Sequence, residues 1–219
     1  MMMKTLLTIL VVLAGSLLPQ KNEDETLLAA WTLKDEVLRE VNGESWPKEA
    51  KAYADKGNTK ACFTFHSDKA GWKCVISKDL NGHYAVIPVH EGDWFEFSVP
   101  VKKMKAGTAI AIRMSIRGLV TCAKYYALEY FDGTDWVMTS SEELDGKATV
   151  ALEKANEPAD IREDFTVPAD IAKGELRFRL RVAADISLKG EPLGKGAVLR
   201  LCQSSDGRYD TIGVYQLNY

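Results

Sequence analysis

Strict alternation of apolar and polar side chains recurs through most of this 219-residue chain and leaves few folds open. Successive side chains of an extended strand point to opposite faces, so alternation marks a strand with one buried face and one wet face. Leu176, Phe178, Leu180 and Val182 alternate with Arg177, Arg179 and Arg181. Within 93–101, Phe95, Phe97 and Val99 alternate with Trp94, Glu96 and Ser98. Within 108–117, Ile110, Ile112, Met114 and Ile116 share one face while Arg113, Ser115 and Arg117 share the other. Residues 122–132 repeat the pattern with Tyr126, Leu128 and Tyr130, and strands are also predicted at 198–203 and 211–219. Weaker strand signals lie at 26–33, 60–66, 72–77 and 83–89.

Helix signals are scarce. Residues 32–41 predict one short amphipathic helix through Leu33, Val37, Leu38 and Val41, with Gly43 as its stop. The charged stretch 140–164, with Asp145-Gly146 and Pro158, predicts a long loop holding one short strand. Many short strands bounded by Gly, Asp, Asn and Pro predict an all-β fold, a two-sheet antiparallel β-sandwich. A barrel is the structural alternative. The arginines of 113–117 and 177–181 read as solvent faces, with the lining of a groove on a sheet as the other reading.

The chain opens with Lys4 and an apolar run from Leu6 to Leu18, followed by the acidic Glu23-Asp24-Glu25. That is the form of a secretory signal peptide, too short to span a bilayer comfortably. The expected organisation is a signal peptide at 1–20 and one domain at 21–219. Leu13-Ala14-Gly15 resembles a lipoprotein box, but Ser16 replaces the cysteine that would carry the lipid. The expected location is therefore soluble: secreted, periplasmic or at the cell surface.

A net charge of −3 and the absence of basic runs with interleaved aromatics argue against nucleic acid as a partner. Cys62, Cys74, Cys122 and Cys202 have irregular spacings and form no C-x-x-C, which speaks against zinc. In an exported protein they allow up to two disulfides in three connectivities, with buried free thiols as the alternative.

Several stretches resemble jelly-roll carbohydrate-binding modules of the galactose-binding-like fold, related to families six and thirty-five. They are His83-Tyr84, then Glu91-Gly92-Asp93-Trp94-Phe95-Glu96-Phe97-Ser98-Val99, then Ala106-Gly107 and Ile112-Arg113. The hairpin Tyr126 to Trp136, with Asp132-Gly133 at its turn, and the pair Val167-Pro168 with Gly174 to Leu180 are similar to later strands of that fold. The style of the chain also resembles small exported Bacteroidetes proteins that handle glycans. The resemblance implies a jelly-roll sandwich that binds a glycan, is not an enzyme and needs no cofactor, with structural calcium as the metal such modules can hold. Position 109 is Ala where the modules carry an aromatic, their Thr-Gly-Gly-Trp stacking loop is absent, and the acidic strand motif that helps hold calcium is missing from 27–33.

Sugar recognition needs flat apolar platforms and a few planar hydrogen-bonding groups. Aromatics at turns and strand starts supply candidates: Trp72 after Ala70-Gly71, Tyr84 after Asn81-Gly82-His83, Trp136 after Asp132-Gly133, and Tyr209 in the 206–210 loop. Trp31 and Trp94 read as core or core margin, and Trp46 as a loop residue. Catalytic motifs are missing: His66, His83 and His90 are scattered, and 190–196 mimics a phosphate loop with the wrong glycine spacing. Two alternatives accompany the glycan-binding module. One is a structural or protein-interaction sandwich with a surface-protein partner. The other is a jelly-roll polysaccharide lyase, suggested by Tyr209 to Gln216 but lacking the arginine–acid–arginine strand such enzymes need.

Overall fold

The computed structural model describes residues 24–32, 51–67, 75–79, 82–88, 90–140, 142–194, 197–202 and 212–219. Two antiparallel sheets face each other, so the predicted β-sandwich is the architecture observed. The first half of the chain supplies β1 (Glu25–Trp31), β2 (Lys51–Tyr53), β3 (Lys56–Gly57), β4 (Cys62–His66), β5 (Val75–Asp79), β6 (Gly82–Pro88) and β7 (Trp94–Met104). β8 (Ala109–Gly118), β9 (Tyr125–Phe131), β10 (Trp136–Met138), β11 (Val150–Ala151) and β12 (Ala159–Thr166) follow. β13 (Ile171–Val182), β14 (Val198–Cys202) and β15 (Ile212–Leu217) complete the set.

One sheet has eight strands in the order β3-β1-β15-β8-β14-β6-β5, with β12 also paired to β8. The other has seven, β10-β9-β13-β7-β4-β2, with β11 paired to β9. Cys202 pairs with Ser115 and Ile212 with the adjacent Met114. β14 and β15 therefore lie end to end along one edge of β8, while β12 takes the opposite edge from Ala159 to Thr166.

The core is the facing set that the alternation defines. Phe63, Phe95, Phe97 and Phe178 from the seven-stranded sheet meet Trp31, Ile110, Ile112 and Ile116 from the eight-stranded one, all at 0–1 % exposure. Phe97 and Phe178 are cross-strand partners whose rings stack at 4.9 Å. Trp31 reaches across the sandwich and meets Phe97 edge-on at 5.6 Å. Each fully buried Phe contributes about 1.5–3 kcal/mol by leaving water.

Two expectations need correction. The stretch 140–164 is not mainly loop: it contains a 3-10 turn at Leu144–Gly146, the short β11, and most of the eight-residue β12. Glu163 disguised β12, because it sits at the same parity as Ile161 and Phe165 and breaks the apolar pattern. Burial pushes its carboxyl above the usual range, partly offset by hydrogen bonds with Ser140 and Thr139. The two-disulfide option also falls. Cys122 and Cys202 are buried free thiols, pushed by burial up to about 12 and about 11 respectively. Cys74, the 32–41 helix beyond Thr32 and the signal segment lie outside the described residues.

Gly57 shows how tightly the edge is closed. Its φ is +70°, and a Cβ there would stand 2.6 Å from the Leu28 carbonyl oxygen. The obstacle is backbone, so it cannot rotate away. Gly57→Ala is expected to cost about 2 kcal/mol of unfolding free energy, from left-handed strain and the clash together. Urea denaturation measures this, and a change within about 0.5 kcal/mol, the usual surface-substitution range, would contradict it.

Candidate functional site

The outward faces of β4, β7, β13, β9 and β10 carry an unusual concentration of aromatic and arginine side chains. Two local devices set it up. At Glu91-Gly92-Asp93 the chain turns with Gly92 at φ +85°. Buried Asp93 accepts the His90 N–H at 2.8 Å, and its own carbonyl accepts the Val182 N–H at 2.9 Å. The turn is thereby tied to the end of β13, which sets Trp94 opposite Arg181. At the β9–β10 hairpin, Asp132 Oδ1 accepts the Thr134 and Asp135 N–H groups, both at 2.8 Å. Those bonds hold the Asp132 carboxyl below its usual range. The hairpin places Trp136 directly opposite Phe131.

Strand register then assembles the face. Arg179 lies opposite Glu96 on β7 and opposite Glu129 on β9, and Trp94 lies opposite His66 on β4. Arg177 Nε donates to Glu96 Oε1 at 2.8 Å, and its Nη2 lies 2.7 Å from the same oxygen. Glu129 accepts from Arg179 Nε at 2.5 Å and from Arg181 Nη2 at 2.8 Å. Glu129 points outward yet is buried, because long arginine side chains cover what they pair with. The arginines are half-buried and ion-paired, so the face is a packed polar floor rather than a free solvent face.

Aromatic groups flank this floor. On one side Trp94 stacks on His66 with centroids 4.9 Å apart and planes 10° from parallel. On the other, Phe131 and Trp136 meet at 5.4 Å. The Arg179 guanidinium bridges the sides, 4.4 Å from the Trp136 ring centre and 5.4 Å from that of Trp94. Three inter-strand steps separate the backbones of Trp94 and Trp136, and their shared contact with Arg179 brings the two ring centres to within about 10 Å of each other. The Trp94 indole N–H is buried and meets no acceptor among the described residues. A donor in that state costs about 1–3 kcal/mol until an acceptor reaches it.

His66 accepts or donates a hydrogen bond with Thr64 Oγ1 at 2.9 Å through Nε2, which lies 3.8 Å from Glu96. Burial lowers its pKa below 6.5, opposed by Glu96 and assisted by Arg177. The unfolded chain therefore takes up this proton first as pH falls. The contribution of neutral His66 to stability is present above pH 6.5 and is lost as pH drops from there toward the folded-state value. An imidazole titration by NMR is expected to show a midpoint under 6.5, and one above 6.5 would be inconsistent with this placement.

Of the residues singled out in the sequence, Trp136 is the one found here, on the sheet face rather than at a loop tip. Tyr84 lies on β6 of the other sheet, so these two candidates do not share a sheet. Trp72 and Tyr209 lie outside the described residues. The sequence places Trp94 in the core or at its margin, and it does not bring His66, Phe131, Glu129 and the three arginines together around it. The available signal was parity: Trp94 is out of phase with Phe95 and Phe97, and Arg177, Arg179 and Arg181 are out of phase with Phe178. Among the described residues, no group of three or more His, Cys, Asp or Glu side chains is placed to hold a metal ion.

No known protein family matches the sequence, and no curated protein matches it. Several solved structures align with this chain at low similarity. A xylan-binding domain from Paenibacillus barcinonensis aligns at 11% identity over 70% of this chain and 90% of its own, with a TM-score of 0.40. An adhesin domain of Lys-gingipain aligns at 12% identity over 89% of this chain and 98% of its own, with a TM-score of 0.33. The enzymatically active domain of a bacteriophage CBA120 tailspike aligns at 8% identity and a TM-score of 0.38, over 71% of this chain and 19% of that one. Identities and scores this low leave the functional reading to the site itself.

Proposed function

We propose that this chain is an exported, non-catalytic glycan-binding module that takes its ligand on the outer face of the seven-stranded sheet. The observation that carries the reading is the pair of aromatic flanks, Trp94–His66 and Phe131–Trp136, either side of the Arg177–Arg179–Arg181 and Glu96–Glu129 floor. Apolar rings offer platforms for the C–H faces of sugar rings, and guanidinium and carboxylate edges offer planar partners for hydroxyls. Both carboxylates of the floor are tied to arginines, which supports binding rather than acid–base work. Export rests on Lys4 and the apolar run Leu6 to Leu18.

The test is a titration of the full chain with a panel of neutral and acidic polysaccharides, read by tryptophan fluorescence. Saturable quenching or a spectral shift by at least one glycan is expected. A folded protein with flat responses across the panel sinks the reading and favours the interaction-module alternative.

A further inference from the structure

A second concavity lies at the far end of β7 and β13, about eight residues along the strands from the Trp94–Arg181 pair, or roughly 27 Å. It is an open cleft of about 850 Å³ between the ends of the two sheets, within the usual size range for small-molecule sites. Leu27, Leu28, Val101 and Met104 give it an apolar floor. A β-bulge in β1 between Leu27 and Ala29 explains how two consecutive leucines come to line it. Strict alternation would have sent one of them to the opposite face.

Lys60, Lys102 and Lys173 ring the cleft and are exposed. Among the described residues no carboxylate pairs with any of them. Among the described lining residues the one carboxylate, Glu175, already accepts a hydrogen bond from Ser98 Oγ at 2.6 Å. The cleft is thus locally cationic on a chain of net charge −3. Among the described residues no aromatic side chain lines it, so they offer no platform for a sugar ring. Lysine stems extend an apolar wall while their ammonium heads stay at the rim, and the thioether of Met104 adapts to a flexible guest.

We propose that this cleft binds an anionic amphiphile, a single acyl chain laid on the leucine floor with its carboxylate at the lysine rim. The assignment does not depend on the glycan reading. Decanoate, laurate and myristate, each below its critical micelle concentration, are titrated into the full chain by isothermal calorimetry. Affinity is expected to rise with chain length, by up to about fourfold per added methylene. Dodecanol is expected to bind about tenfold more weakly than laurate, and Lys102→Gln with Lys173→Gln to weaken laurate by about tenfold while leaving dodecanol unchanged. Equal binding of laurate and dodecanol, or no dependence on chain length, overturns the proposal. So does a polyglutamate peptide that binds as tightly as laurate, or loss of laurate binding on Trp94→Ala, which would move the ligand to the aromatic face.

Discussion

Glu129→Gln is expected to lower the unfolding free energy by about 3 kcal/mol, the low end of what removing one partner of a buried ion pair costs. Glu129 receives two arginines at once, Arg179 at 2.5 Å and Arg181 at 2.8 Å. Its side chain is 6 % exposed, whereas those of Arg179 and Arg181 are 17 % and 26 % exposed. The arginines can turn partly toward water once the charge is gone, which keeps the loss from reaching the upper end of the range. An amide in place of the carboxylate still accepts through one oxygen, but it presents an N–H₂ to the second guanidinium. Urea denaturation at pH 7 gives the number. A double-mutant cycle of Glu129→Ala with Arg179→Ala gives the coupling, expected at 1 kcal/mol or more, as for groups in one ion-pair network. A loss under about 1 kcal/mol would mean the triad behaves as an ordinary surface pair.

The same triad shows where sequence reading stops. Alternation predicts that Arg177, Arg179 and Arg181 share one side of β13 and that Trp94, Glu96 and Ser98 share one side of β7, and both predictions hold. Which strands stand beside which is a separate fact. β13 pairs with β7, some eighty residues earlier, and with β9, some fifty residues earlier. Only that long-range register sets Arg179 between Glu96 and Glu129. Period-two patterning records which side of a strand is wet, but carries no record of its neighbour. β12 failed to show for the opposite reason. Its partner β8 was evident, yet Glu163 occupies an inward position and is tolerated there because Ser140 and Thr139 hydrogen-bond its carboxylate. A polar residue satisfied by distant partners looks, in one dimension, like a break in the strand. Trp136 was found for its turn, since Asp132-Gly133 is a local signal, while its placement beside Phe131 and over Arg179 needed the hairpin register and β13 together.

Trp94→Ala is expected to weaken binding of a responsive glycan by about a hundredfold, which corresponds to about 2.7 kcal/mol. Trp94 contributes the broad ring stacked on His66, and truncation removes that apolar platform. It also leaves His66 without its stacking partner and Arg179 without one of the two rings it bridges. Trp136→Ala, on the opposite flank, is expected to act in the same direction, and the double substitution to remove binding from the measurable range. Calorimetry is the right reading, because substituting a tryptophan changes the fluorescence baseline. The outward position of Trp94 separates function from folding: it is half-buried, while Phe95 beside it is 1 % exposed and belongs to the core. Stability is therefore expected to fall less than for a core truncation at Phe95, which would cost about 3–5 kcal/mol. If binding survives both tryptophan substitutions in folded protein, the arginines and aromatics of this face are a structural network, and the glycan reading of the face is lost.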